Sequence, residues 1–264
     1  MTAHHLAIRP VYKLHSLGLF VAFLWGCAVQ NTSSTGQNAS TMYQQALSHY
    51  EAQRYREALR LFDEALPGLK GKKEEASAYF YSAFCRYECG QYVHAAEDFG
   101  YLAKVFPKDA RSEQSLYMQG HVLSISSPDF RLDQTLTHEA VSCLKLYLDT
   151  YPEGTYTREA EIDLKHMQAK LATKAFANAK LYYVMGYFQA AAARLTHFVD
   201  AHADAVEIPE AMYLRILAQD KLLQASHCPD DKPHLCAMCD DFLKAYPQSD
   251  HTAEIQNIRA RAKD

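Results

Sequence analysis

The side chains best suited to chemistry cluster near the C-terminal end, where His227, Cys228, His234, Cys236 and Cys239 place imidazole and thiolate groups in a short stretch. A zinc ion would need four such ligands in a tetrahedron. Against that, Cys236 and Cys239 fall on the helix positions that Ala96 and Phe99 hold elsewhere in the chain, where a thiol packs as a small hydrophobe. An oxidising compartment would also permit a Cys228–Cys236 disulfide. Cys85 and Cys89 are four apart, hence on one helix face, and a structural role suits them better than redox chemistry. His197 and His202 lie on an amphipathic stretch, where packing or solvation explains them better than general-base work. No glycine-rich phosphate loop, His-Glu-x-x-His or nucleophile elbow occurs. The chain is therefore expected not to be an enzyme, with no catalytic residue, metal site or dissociable cofactor.

One further cysteine has a different chemistry. Arg9 and Lys13 precede an apolar run from Leu17 to Trp25, too short for a finished span and the right size for the core of a secretory signal. It ends in Leu24-Trp25-Gly26-Cys27, which resembles a bacterial lipoprotein signal. That resemblance implies cleavage before Cys27, a diacylglyceryl thioether on its sulfur and acylation of the new amino group. One acyl chain holds a protein only marginally, whereas two or three make a stable anchor. The expected organisation is a signal peptide over 1–26, a lipidated flexible tether over 27–40 with a reach of roughly 20 Å, and a helical domain over 41–264. No acidic residue directly follows Cys27. By resemblance, the periplasmic face of an outer membrane is the favoured location.

The elements that must carry any site are announced by a repeated ladder. Tyr43, Ala46, Tyr50 and Ala58 recur as Phe80, Ala83, Tyr87 and Ala95, and again as Phe176, Ala179, Tyr183 and Ala191. Residues three and four apart share a helix face, so aromatic, small and aromatic side chains form one packing stripe, with the small residue admitting a neighbouring helix. Gly90 and Gly186 stand where each first helix should end in a left-handed residue, and Gln53 takes that place in the first unit. Phe106-Pro107, Tyr151-Pro152 and Tyr246-Pro247 should close three second helices. His202-Ala203 breaks that pattern and leaves the end of the fourth second helix open.

Two more units complete the series. Tyr117 and Gly120 stand 37 residues after Phe80 and Ala83, but Ala140 stands 45 after Ala95, so eight extra residues must sit in the stretch from Ser126 to Thr135, whose serines and proline favour a loop. Tyr213 begins a fifth unit, with Leu235, Cys239 and Phe242 on its second helix. The stretch from Thr157 to Tyr183 has no proline or glycine and predicts one helix of about 40 Å. Repeats of this size mean stacked helix pairs. The expected fold is all-α, a tetratricopeptide-repeat solenoid of five hairpins at about 41–71, 76–107, 110–152, 155–204 and 207–247, followed by a C-terminal helix at 249–262.

Composition agrees. The chain has 264 residues, 48% of them apolar, with only 10 glycines and 9 prolines. Excluding 1–26, 25 basic residues face 31 acidic ones, a net charge of −6, and that balance speaks against nonspecific nucleic-acid binding. The 18 tyrosines fall mostly on repeat positions, so core packing accounts for them without a carbohydrate ligand.

Cys27, the five units, and the segments Ser127-Pro-Asp-Phe-Arg-Leu-Asp-Gln-Thr135, Ala179-Lys-Leu-Tyr-Tyr183 and Gly186-Tyr-Phe-Gln-Ala-Ala191 together resemble the BamD family of outer-membrane assembly lipoproteins, in its Bacteroidetes form. The resemblance covers almost all of the chain after Cys27. It implies a scaffold in the machinery that folds and inserts outer-membrane β-barrels. Its N-terminal repeats would recognise nascent barrel proteins, and its C-terminal repeats would dock the periplasmic POTRA domain of a BamA-like barrel subunit. It further implies that Arg194 contacts that subunit, that Asp133, Gln134 and Thr135 belong to a partner-binding loop, and that the lipid on Cys27 provides the membrane contact. A different periplasmic repeat lipoprotein, coordinating cell-wall synthesis, would share the anchor and the hairpins without needing Arg194 or the Leu-Asp-Gln-Thr loop.

Overall fold

A computed structural model describes residues 32–226 and 231–263, which form eleven helices and no strand. These are α1 (Thr32–Glu51), α2 (Tyr55–Leu69), α3 (Glu75–Glu88), α4 (Tyr92–Val105), α5 (Ser112–Ser126), α6 (Thr135–Thr150), α7 (Thr157–Val184), α8 (Phe188–Ala201), α9 (Ile208–Ser226), α10 (Lys232–Ala245) and α11 (Thr252–Lys263). Each helix packs on the one before and the one after it. The result is a solenoid of five tetratricopeptide-type hairpins closed by α11.

The ladder residues are the core. Tyr43, Ala46 and Ala58, Phe80, Ala83 and Ala95, and Phe176, Ala179 and Ala191 are all buried. The small residues sit where paired helices touch. In the third hairpin that place is Gly120, where an added Cβ would come within 2.8 Å of the Leu144 side chain. At Gly120, α6 therefore lies closer to α5 than a methyl group allows. Gly90, Gly186 and Gln53 all have positive φ, at 74°, 79° and 56°. The turns of the first, second and fourth hairpins are thus each made by one left-handed residue, glycine or not.

Joints between hairpins follow one rule. Phe106, Tyr151, His202 and Tyr246 each end a helix, with φ between −119° and −131°. Each carbonyl then accepts the amide three residues on, from Asp109, Gly154, Ala205 and Ser249. The fourth hairpin lacks the proline yet ends its second helix at the equivalent residue, Ala201. The His202 ring lies over Phe198 at 5.1 Å and takes the aromatic place. Leu69 starts the first joint in the same manner, through Lys72.

The long helix expected over 157–183 is α7, with 28 residues. It belongs to two cores: Ala160 and Met167 pack with the second and third hairpins, and Ala172, Phe176 and Ala179 with the fourth and the start of the fifth. His121 on α5 reaches Asp163 on α7 at 2.7 Å, and Tyr117 stacks on Tyr156 at 4.9 Å. Burial, and after it the Asp163 carboxylate, raise the Tyr117 hydroxyl above its ordinary value.

The N-terminal boundary differs from expectation. Residues 32–40, assigned to a flexible tether over 27–40, are the first half of α1. Ala39 is only 5% exposed and extends the Tyr43–Ala46 stripe by one turn. Once that turn is fixed by packing, each added residue gains a backbone hydrogen bond, so the polar and small residues before it join the helix. The expected signal peptide over 1–26, Cys27 and residues 28–31 lie outside the described residues.

Candidate partner-binding site

The eight residues between α5 and α6 form a locked loop. Gln134 is 4% exposed; its amide nitrogen donates to the carbonyls of Asp129, Leu132 and Asp133 at 2.9–3.2 Å, and its carbonyl oxygen accepts from the Thr137 hydroxyl at 2.8 Å. The loop is also bound to α7. Lys170 donates to Ser127, at 2.7 Å to the hydroxyl, and Lys174 donates to the Leu132 carbonyl at 2.6 Å. Asp133 accepts the Thr135 amide at 2.9 Å, satisfying a free donor at the start of α6. Hydrogen bonds from Thr135 hold that carboxyl below its usual range.

This geometry corrects one expectation. Gln134 is not part of the exposed surface, because it is enclosed and its amide hydrogen-bonds to the loop carbonyls and to Thr137 of α6; it shapes the surface from beneath. Asp133 and Thr135 remain exposed, beside Leu132, which is 59% exposed.

Arg194 lies on α8 at the rim of a groove of about 650 Å³ between α7 and α8. Ala179, Leu181, Tyr182, Met185 and Phe198 provide its apolar lining, and His197 and His202 share its rim. Arg194 is exposed and has no ion-pair partner among the described residues, whereas Arg86 and Arg111 are bound to aspartates at 2.6 and 2.8 Å. An unpaired guanidinium beside an apolar trough suits a segment that is apolar in the middle and carries a carboxylate. Beside the groove, the turn from α7 to α8 exposes Val184 and Tyr187 to 71% and 57%.

The two features share one helix. Lys174, which holds the loop at Leu132, is followed on the same face of α7 by Asn178, Leu181 and Met185 of the groove. That row is about 17 Å long at 1.5 Å per residue. The structure thus brings Leu132–Asp133 and Arg194 onto adjoining parts of one surface, and leaves Cys236 and Cys239 apart from it. The loop's anchors on α7, Lys170 and Lys174, and the groove residues Met185 and Phe198 were not singled out in the sequence, and Leu181 and Tyr182 stood there only within the segment Ala179–Tyr183 that carries the resemblance. Leu181, Tyr182 and Met185 could have been found as apolar residues lying off the ladder positions.

The cysteines take packing roles. Cys239 is fully buried with Leu235 and Phe242, and burial pushes its thiol up to about 12. Cys236 lies against the Arg259 carbonyl at 3.9 Å. His227 and Cys228 lie outside the described residues, and among those described no three His, Cys, Asp or Glu side chains are gathered to hold a metal ion. Nor is any described helix long and apolar enough to cross a membrane.

A family model described as outer membrane lipoprotein, YfiO, matches residues 35–232, three quarters of the chain and both parts of this surface. The chain belongs to the YfiO family. A YfiO-like relative in Caulobacter vibrioides, the outer membrane protein assembly factor BamD, is 21% identical over 209 residues, covering 78% of this chain and 68% of its own. Among solved structures, the tetratricopeptide domain of P58(IPK) is 14% identical with a TM-score of 0.42, over 86% of this YfiO-family chain and 55% of that one. The TPR2AB domain of yeast Sti1 is 17% identical with a TM-score of 0.41, over 86% and 84%.

Proposed function

We propose that this YfiO-family protein is a non-enzymatic scaffold lipoprotein serving the assembly of outer-membrane β-barrel proteins. It is held at the periplasmic face of the outer membrane by acyl chains on Cys27. The α7–α8 groove docks the periplasmic domain of a BamA-like barrel subunit, with Arg194 taking a carboxylate of that domain. The loop ending in Asp133 and Thr135 extends the same contact, and the earlier hairpins receive nascent barrel chains. The observation that carries this reading is an exposed, unpaired Arg194 beside an apolar groove, within the part of the chain that the family model matches.

Such a groove binds by burying apolar side chains, with a charge-assisted pair fixing the register. The test is affinity capture of the full-length protein from detergent-solubilised membranes. The expected result is co-purification of a membrane β-barrel protein with periplasmic repeats, strongly reduced by Arg194→Glu at unchanged helical content. Recovery of cell-wall synthesis enzymes without a barrel protein would overturn the reading, and an unaffected Arg194→Glu complex would remove the groove from it.

A further inference from the structure

The edge of the solenoid opposite the partner-binding turns carries a charge asymmetry that the docking groove does not use. Tyr50 on α1 meets Tyr55 on α2 at 5.8 Å, and Tyr43 meets Phe62 at 6.0 Å. The two helices are therefore antiparallel, and Gly36 is level with Leu69, the last residue of α2. Thr32 projects about 6 Å beyond that level, at 1.5 Å per residue. The N-terminal end of α1 thus stands beside the first joint between hairpins, residues 70–74. The second joint, 106–111, lies close by: Arg111 is near enough to Tyr43 for their charges to interact, and the Tyr43 hydroxyl reaches Ser77 at 2.6 Å.

These two joints are basic. Lys70 and Lys73 in the first, Lys108 in the second and Lys104 in the last turn of α4 are all exposed, and none has an ion-pair partner among the described residues. The acids nearby are mostly engaged. Asp109 is bound to Arg111 at 2.8 Å, and Glu75 is buried and accepts the Gly71 amide at 2.7 Å; Glu74 remains, half-buried. Further along the same edge the sign changes. The later joints themselves have no lysine or arginine and expose Glu153, Asp204 and Asp250; Lys244, in the last turn of α10, is the counterpart of Lys104 and stands there without a neighbouring joint lysine. Cys27 is five residues before Thr32, so the chain between them spans at most about 18 Å.

We propose that the edge formed by Lys70, Lys73, Lys104 and Lys108 docks on the anionic phospholipid headgroups of the membrane in which Cys27 is anchored. This rests on the reading of Cys27 as acylated. Lipid chains and a basic patch are two signals that together hold a protein on a bilayer, and each lysine near an anionic surface strengthens the attachment about fivefold. The effect is confined to within about 10 Å at 0.1 M salt, which the short segment after Cys27 permits. The solenoid then lies with its first two joints on the membrane, while the acidic joints are repelled and the α7–α8 turn, with Val184 and Tyr187, points away from the lipid.

The test uses the full-length protein purified from membranes and reconstituted on vesicles of phosphatidylcholine alone, or with phosphatidylglycerol added. Hydrogen exchange of residues 70–74 and 104–111 should slow several-fold on the anionic vesicles only. High salt, or the combined substitution of Lys70, Lys73, Lys104 and Lys108 by Glu, should abolish that protection while helical content stays unchanged. Equal exchange on both vesicle types, or protection that survives the charge reversal, would overturn the proposal. The mass of the N-terminal peptide reports acylation of Cys27 separately, and the comparison between vesicle types stands whichever mass is found.

Discussion

At the scale of single residues, the turns depend on backbone conformation and the loop on a few polar atoms. Gly186 has φ of 79° and no atom within 4 Å of the place a Cβ would take. Gly186→Ala should therefore destabilise by about 1 kcal/mol through backbone strain alone, and Gln53→Gly should move urea unfolding in the opposite direction. Asp133 supplies a pH-dependent contact. Its folded pKa is depressed, so the contribution is present above the unfolded carboxyl value of 3.8 and is lost as pH falls through the lower folded one. The protection of the Thr135 amide relative to its intrinsic exchange rate, followed by NMR, should fall across that acid window in the natural protein and show no such step in Asp133→Ala. The turn residues were legible because glycine at a fixed offset has a backbone reason. Gln134 was not, since a glutamine in a polar loop reads as surface until three carbonyls are seen around its amide.

At the scale of elements, α7 is the member on which the site depends. It ties the α5–α6 loop through Lys170 and Lys174, walls the groove at Leu181 and Met185, and shares its apolar face between two cores. Gln168 is exposed between Met167 and Ala172, where the cores divide. Gln168→Pro should cost about 3 kcal/mol or more and split unfolding into two transitions, seen as non-coincident circular dichroism and near-ultraviolet curves. A single coincident transition would contradict the view that α7 couples the two cores. The length of α7 was readable from its lack of proline and glycine. The start of α1 at Thr32 was not, because Ser, Thr, Gly and Asn before Tyr43 have the composition of a tether. Only the burial of Ala39 shows that the packing face continues past the ladder. His202 is the opposite case, a joint with the wrong residue type that keeps the geometry of its aromatic counterparts.

At the scale of the whole molecule, the proposed membrane contact and the proposed docking groove belong to different hairpins. The basic joints lie beside the end of α1 that leads to Cys27, and the groove lies two hairpins away, running along α7 and α8 up to their turn. A scaffold of this form should align a barrel subunit at a set height above the bilayer. Loss of Arg194 should then affect barrel assembly without affecting membrane attachment, whereas reversal of the four lysines should alter attachment first. Fractionation of cells carrying each variant would separate the two effects. The central claim is that the protein serves β-barrel assembly, and its most direct test is depletion in the cells that make it, followed by quantitative mass spectrometry of the outer membrane. A broad fall in β-barrel proteins ahead of any change in cell-wall composition is the predicted result; undiminished barrel proteins with altered cell-wall cross-linking would contradict it.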